Sequence, residues 1–162
     1  MNRESVDWRG PMVAVITPFD RDGNIDEANF SSNVRRMFDN RATGIVVGGC
    51  TGEFWALSHD ERCQLFQLGV KSAEGRGTVI VGTGAVTAEE TIQLTLEAER
   101  AGCNGALILP PYFVQLTEDQ IFHHYENIST ATNIPIMLYN IPGNAVNAIT
   151  PALAARLADL DR

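Results

Sequence analysis

Gly44-Ile45-Val46-Val47-Gly48-Gly49-Cys50-Thr51-Gly52-Glu53 runs from an apolar, β-branched stretch straight into a glycine-rich turn. Its apolar half has no polar alternation, the pattern of a strand buried on both faces of a parallel sheet. Four further runs share that pattern: Met12 to Thr17, Thr78 to Thr83, Gly105 to Leu109 and Pro135 to Tyr139. With Gly44 in its place, their starts lie 32, 34, 27 and 30 residues apart, the period of one strand–helix unit.

The intervening stretches carry helix starts. Ser58-His59-Asp60-Glu61, Thr87-Ala88-Glu89-Glu90 and Thr117-Glu118-Asp119-Gln120 each fit a capping box, in which a hydroxyl and a later side chain satisfy orphan N–H groups reciprocally. Thr150-Pro151 offers an N-cap followed by proline where its missing donor is harmless, and Asp26 caps the first helix. Apolar stripes follow the caps: Phe30, Val34 and Phe38; Leu65, Phe66 and Val70; Ile121, Tyr125 and Ile128; Leu153, Leu157 and Leu160. Gly44 and Gly102 mark the reversals back into strands.

Five βα units leave two α/β architectures, a doubly wound open sheet or a barrel. Gly82-Thr83-Gly84 follows the third run without the later glycine of a dinucleotide-binding turn, which weakens a nucleotide-binding reading. No linker or second domain interrupts the 162 residues.

The balance of 12 basic and 20 acidic residues gives a net charge of -8, which disfavours nucleic acid and anionic membranes as partners. No apolar run is long enough to cross a bilayer. Met1-Asn2-Arg3-Glu4-Ser5 has no apolar stretch behind its charge, so no leader is expected. Cys50, Cys63 and Cys103 are odd in number and read as reduced thiols of a cytoplasmic protein.

In either architecture ligands bind at the carboxyl ends of strands. Gly48 to Glu53 could cradle a small carboxylate through backbone N–H groups and the Thr51 hydroxyl, or could be a glycine-rich turn with no ligand. Tyr139, ending the fifth run, could relay protons or simply fill core. Pro110-Pro111-Tyr112-Phe113 places two aromatics at the same rim. His123 and His124 fall on different helix faces and cannot share a metal, and His59 is solvated within its cap. Asp20 to Asn24 imitates a calcium loop but has Ile25 and Ser31 where glycine and glutamate are needed, so it is a turn. No metal or cofactor is expected.

Together, Gly49-Cys50-Thr51-Gly52-Glu53, Gly82-Thr83-Gly84, Pro111-Tyr112-Phe113 and Tyr139-Asn140-Ile141-Pro142, in order and at this spacing, resemble the dihydrodipicolinate synthase / N-acetylneuraminate lyase family. The resemblance runs from Trp8 to the last residue. It implies a (β/α)8 TIM barrel, usually a homotetramer, that makes or breaks C–C bonds in 2-oxo acids such as pyruvate through a lysine Schiff base. It implies that Thr51 and the N–H groups around Cys50 and Thr51 hold the substrate carboxylate, with Tyr139 relaying protons. Gly49, Tyr112, Phe113 and Asn144 would line the site's rim. Against the synthase branch, Cys50 stands for a threonine, Phe113 for a tyrosine that reaches a neighbouring subunit, and Asn144 for a carboxylate-gripping arginine. These departures argue against lysine biosynthesis and for a lyase or dehydratase acting on sugar-derived or other 2-oxo acids.

The family's imine-forming lysine lies on the sixth strand, which the unit spacing puts at about residue 165. The single lysine here, Lys71, falls late on the second helix, and arginine cannot serve as the nucleophile. A barrel needs about 250 residues. Residues 1–162 are therefore expected to be the N-terminal part of a single barrel domain, inactive alone and completed by a C-terminal segment. The competing expectation is a non-catalytic half-barrel that binds a small carboxylate or only assembles.

Overall fold

Alternate residues of each strand sort onto opposite faces of one sheet. Ile45, Val47, Val79, Val81, Ala106 and Ile108 join the core shared with the helices, while Val46, Ile80, Leu107 and Met137 form a stripe on the other face under Val6 and Trp8. The computed structural model describes Glu4 and Val6 to Leu160; the rest of the N-terminal stretch read for a leader, and the chain end at Arg162, lie outside the described residues.

The strands are β1 (Met12–Ala14), β2 (Gly44–Val47), β3 (Thr78–Gly82), β4 (Gly105–Ile108) and β5 (Ile136–Leu138). All pair in parallel in the order β1-β2-β3-β4-β5, with Met12 opposite Gly44, Gly44 opposite Thr78, Ile80 opposite Gly105 and Ala106 opposite Ile136. The helices are α1 (Glu27–Asp39), α2 (His59–Ala73), α3 (Ala88–Ala101), α4 (Glu118–Ala131), the single turn α5 (Pro142–Ala145) and α6 (Pro151–Ala158). Each long helix packs on the next, α1 on α2, α2 on α3, α3 on α4 and α4 on α6, so they make one layer. A doubly wound sheet reverses its strand order at a switch point and carries helices on both faces. Neither happens here, which removes the open nucleotide-binding sheet and leaves the winding of five consecutive units of a (β/α)8 barrel.

Burial on both faces holds only inside the sheet. β3 and β4 are buried throughout and β2 at all but Val46, whereas β1 and β5 are partly exposed because each has a neighbour on one side only. Beside the β5 edge, α4 and α6 border a groove of about 410 Å³ lined by Trp8, Tyr125, Ile136, Leu138 and Leu157 among others. No helix among the described residues is long and apolar enough to cross a membrane.

Asp26, Ser58, Thr87, Thr117 and Thr150 cap their helices as expected. The box closes in both directions at Ser58, whose N–H donates to Glu61 Oε2 at 2.7 Å, and at Thr117, whose N–H donates to Gln120 Oε1 at 2.9 Å. At Thr87 only half forms: Glu90 N–H reaches Thr87 Oγ1, and the loop ahead is held instead by Ala85 N–H donating to Thr91 Oγ1 at 3.1 Å. Gly44 is not a reversal. The chain turns at Arg41 (φ 70°), and Gly44 is needed because a Cβ there would lie 2.7 Å from the Thr78 carbonyl oxygen. Gly102, at φ 84°, is the expected left-handed cap. The Asp20–Asn24 segment is a turn, its carboxylate accepting from the N–H groups of Asp22 and Asn24.

Candidate active site

The carboxyl ends of β2 and β3 meet backbone to backbone. Gly48 takes φ 60°, and its carbonyl oxygen would lie 2.0 Å from any Cβ added to Gly82. Gly82 thus answers a packing demand between adjacent turns, and Gly84 one from Leu109, whose Cδ2 would lie 2.3 Å from a Cβ there.

After Gly48 the chain coils tightly. The N–H groups of Gly52 and Phe54 donate to Gly49 O and that of Glu53 to Cys50 O, leaving those of Cys50 and Thr51 outside the turn's own bonding. Thr17, at the end of the first apolar run, donates its hydroxyl to Gly52 O at 2.7 Å and ties the turn to the neighbouring strand end. Thr51 is exposed and Cys50 half-buried. The arrangement offers two free N–H groups and a hydroxyl to an anion.

Tyr139 follows β5 on the same end of the sheet. The Cys50 side chain beside it, followed by burial, pushes the phenol up to about 12. Tyr139, Cys50 and Tyr112 pack together on Phe54, Leu109 and Ala145, while Gly48, Gly49, Gly82 and Tyr139 border one small cavity. Four sequence-predicted residues, Gly49, Cys50, Tyr112 and Tyr139, therefore share one place, with Thr51 beside them. The two rim aromatics part company: Tyr112 meets the Phe54 ring edge-on at 6.0 Å, whereas Phe113 is 86% exposed. Asn144 is exposed on α5.

Lys71 is exposed in the last turn of α2, which runs back from the carboxyl end of the sheet towards its amino end. His59 is exposed. His123 is exposed and paired with Glu126, while His124 is buried.

Sequence reasoning missed Arg62. Only 4% exposed, it donates through Nη2 to Gly82 O at 2.8 Å and Gly84 O at 3.1 Å, with its guanidinium 5.4 Å from the Phe54 ring centre. It joins the β3 turn to the loop after Thr51, and burial lowers its pKa. Nothing distinguishes it in the sequence from an exposed first-turn helix residue. Asn147 was missed as well, since it falls in a loop with no periodicity to read.

A one-way parallel βα array, with the Gly48–Glu53 turn and Tyr139 together at the carboxyl ends of its strands, defines a (β/α)8-barrel protein. Within that class, the chain belongs to the Dihydrodipicolinate synthetase family, which it matches over residues 7–162. It is 43% identical over 153 residues to a 4-hydroxy-tetrahydrodipicolinate synthase of Rhodospirillum centenum, covering 94% of this chain and 52% of that protein. The structure of the same enzyme from Methylacidiphilum fumariolicum SolV superposes with a TM-score of 0.92 at 34% identity, over 96% of this chain and 51% of the other. YagE, an E. coli K12 prophage protein of the dihydrodipicolinic acid synthase family solved in complex with pyruvate, gives 0.90 at 29% identity, over 94% and 52%. The chain spans about half the length of the relatives it matches.

Proposed function

We propose that the complete protein is a 2-oxo-acid lyase, an aldolase or dehydratase acting through a lysine imine, and that this chain is the front part of its single barrel domain. The observation that carries the reading is the packing of Tyr139 with Cys50 on one cluster, beside the unspent N–H groups of Cys50 and Thr51. Membership of the family and the pyruvate complex of YagE support pyruvate or a related 2-oxo acid as substrate.

On this reading the Cys50 and Thr51 N–H groups and the Thr51 hydroxyl hold the substrate carboxylate. Tyr139, protonated at neutral pH, gives a proton to the carbinolamine oxygen as it leaves as water and recovers it from the next reacting group. The attacking amine comes from a later strand, because Lys71 stands at the far end of α2. Phe113 and Asn144 provide no hydroxyl and no cation for a second carboxylate, which favours cleavage or dehydration of a sugar-derived or other 2-oxo acid over synthesis of dihydrodipicolinate-type products. A homotetramer in a reducing cytoplasm fits the family and the three free thiols.

Borohydride reduction of the complete protein with pyruvate, followed by mass spectrometry, tests this. A reduced pyruvyl adduct on a lysine of the sixth strand is expected. No adduct, or one on Lys71, refutes the reading.

A further inference from the structure

Asn147 lies outside the candidate site and is 3% exposed, yet every hydrogen-bonding atom of its side-chain amide is engaged with one segment. Its Nδ2 donates to Pro111 O at 2.6 Å and to Val114 O at 2.8 Å, and its Oδ1 accepts from Leu116 N–H at 2.9 Å. The two carbonyls it bridges belong to the first and last residues of a four-residue turn whose centre is Tyr112-Phe113. One buried amide thus closes that turn from outside, where the segment would otherwise need its own backbone bond.

The turn held this way does two opposite things. Tyr112 is directed inward onto Phe54, in the cluster that contains Tyr139 and Cys50. Phe113 is held at φ 78°, a conformation disfavoured for a bulky residue, and stands almost fully in solvent. On the other side of the clamp, Val146 takes φ 67°, unfavourable for a β-branched residue. Two strained residues flanking one fully satisfied buried amide indicate a geometry imposed by the surroundings, not chosen by the loop.

We propose that Asn147 is a positioning residue: it sets the direction of the Tyr112-Phe113 pair at the mouth of the site and so governs substrate binding without touching substrate. The kinetic half of this rests on the lyase reading; the clamp itself does not.

The test uses the complete polypeptide with Asn147→Ala, Asn147→Asp and, as a destabilised control far from the loop, Val34→Ala on α1. Asn147→Asp keeps the acceptor for Leu116 and loses both donors, so it serves if the alanine variant does not fold. Chymotryptic cleavage after Phe113 should accelerate about tenfold in the Asn147 variants, as loss of a buried hydrogen bond permits, and not in the control. KM for the 2-oxo acid should rise several-fold, with kcat within about twofold of the parent. Cleavage no faster than in Val34→Ala overturns the clamp. Faster cleavage with KM unchanged makes Asn147 merely structural and overturns the positioning role. If the parent forms no reduced pyruvyl adduct, the lyase reading and the role in binding its substrate both fail, while the cleavage comparison still decides the clamp.

Discussion

Tyr139 and Cys50 pack on one cluster at the carboxyl ends of β5 and β2, two strands that do not pair with each other. The pair reaches past the ends of β3 and β4, which lie between those two strands in the sheet. As the neighbouring Cys50 side chain is the first cause of the raised phenol pKa, Cys50→Ala should bring the Tyr139 titration, followed by NMR at Cζ, down from about 12 towards 10. In the complete protein, Tyr139→Phe should lower kcat about a hundredfold to a thousandfold while leaving the melting temperature nearly unchanged. Undiminished turnover would remove Tyr139 from the relay.

Arg62 presents the opposite balance, a charge spent on structure. Arg62→Leu strips both Gly82 O and Gly84 O of their donor and should destabilise the protein by about 2–4 kcal/mol in urea unfolding. Arg62→Lys should recover only part, because an ammonium lacks the planar fork and the stacking face that Arg62 uses on Phe54.

His124 should make the fold acid-sensitive. It is 7% exposed, its Nε2 has no partner, and burial lowers its pKa to about 4 from 6.5. The unfolded chain therefore takes up the proton first as pH falls. Stability is complete above pH 6.5 and declines by about 3 kcal/mol as pH falls to 4. In His124→Phe, which keeps an aromatic edge against Tyr125, most of that slope between pH 6.5 and 4 should vanish from the denaturation midpoints.

Val146→Gly should stabilise the chain. The side chain is 53% exposed and its φ of 67° suits glycine, so relief of strain outweighs the lost contacts by about 1 kcal/mol. A lower melting temperature in the variant would show that Val146 packs more than it strains.

The sequence carried the scaffold well because scaffold is periodic. Apolar runs and hydroxyl caps place all five strands and the long helices to within a few residues, and Ser58, Thr117 and Thr150 sit on their helices as their spacing demands. Winding was not legible in the periodicity, since a βα period is common to sheets and barrels; the family motifs pointed to the barrel, and the pairing order bears that out. Within the site, Cys50 and Tyr139 were visible through their place at strand ends. Arg62 and Asn147 were not, because a side chain that closes a distant turn leaves no local pattern. Gly44 was misread for a related reason: a glycine demanded by a neighbouring strand looks the same as one demanded by a bend.

The contact between Gly48 and Gly82 bears on how such a protein can diversify. With the Gly48 carbonyl seated where a Gly82 methyl would have to go, Gly82 tolerates no side chain without prising two strands apart, while Gly48 is held to glycine by its left-handed backbone. The backbone where the second and third loops meet is a frozen floor, and inherited novelty in ligand choice must arise from side chains set around it, such as Cys50, and from the walls raised after β4 and β5.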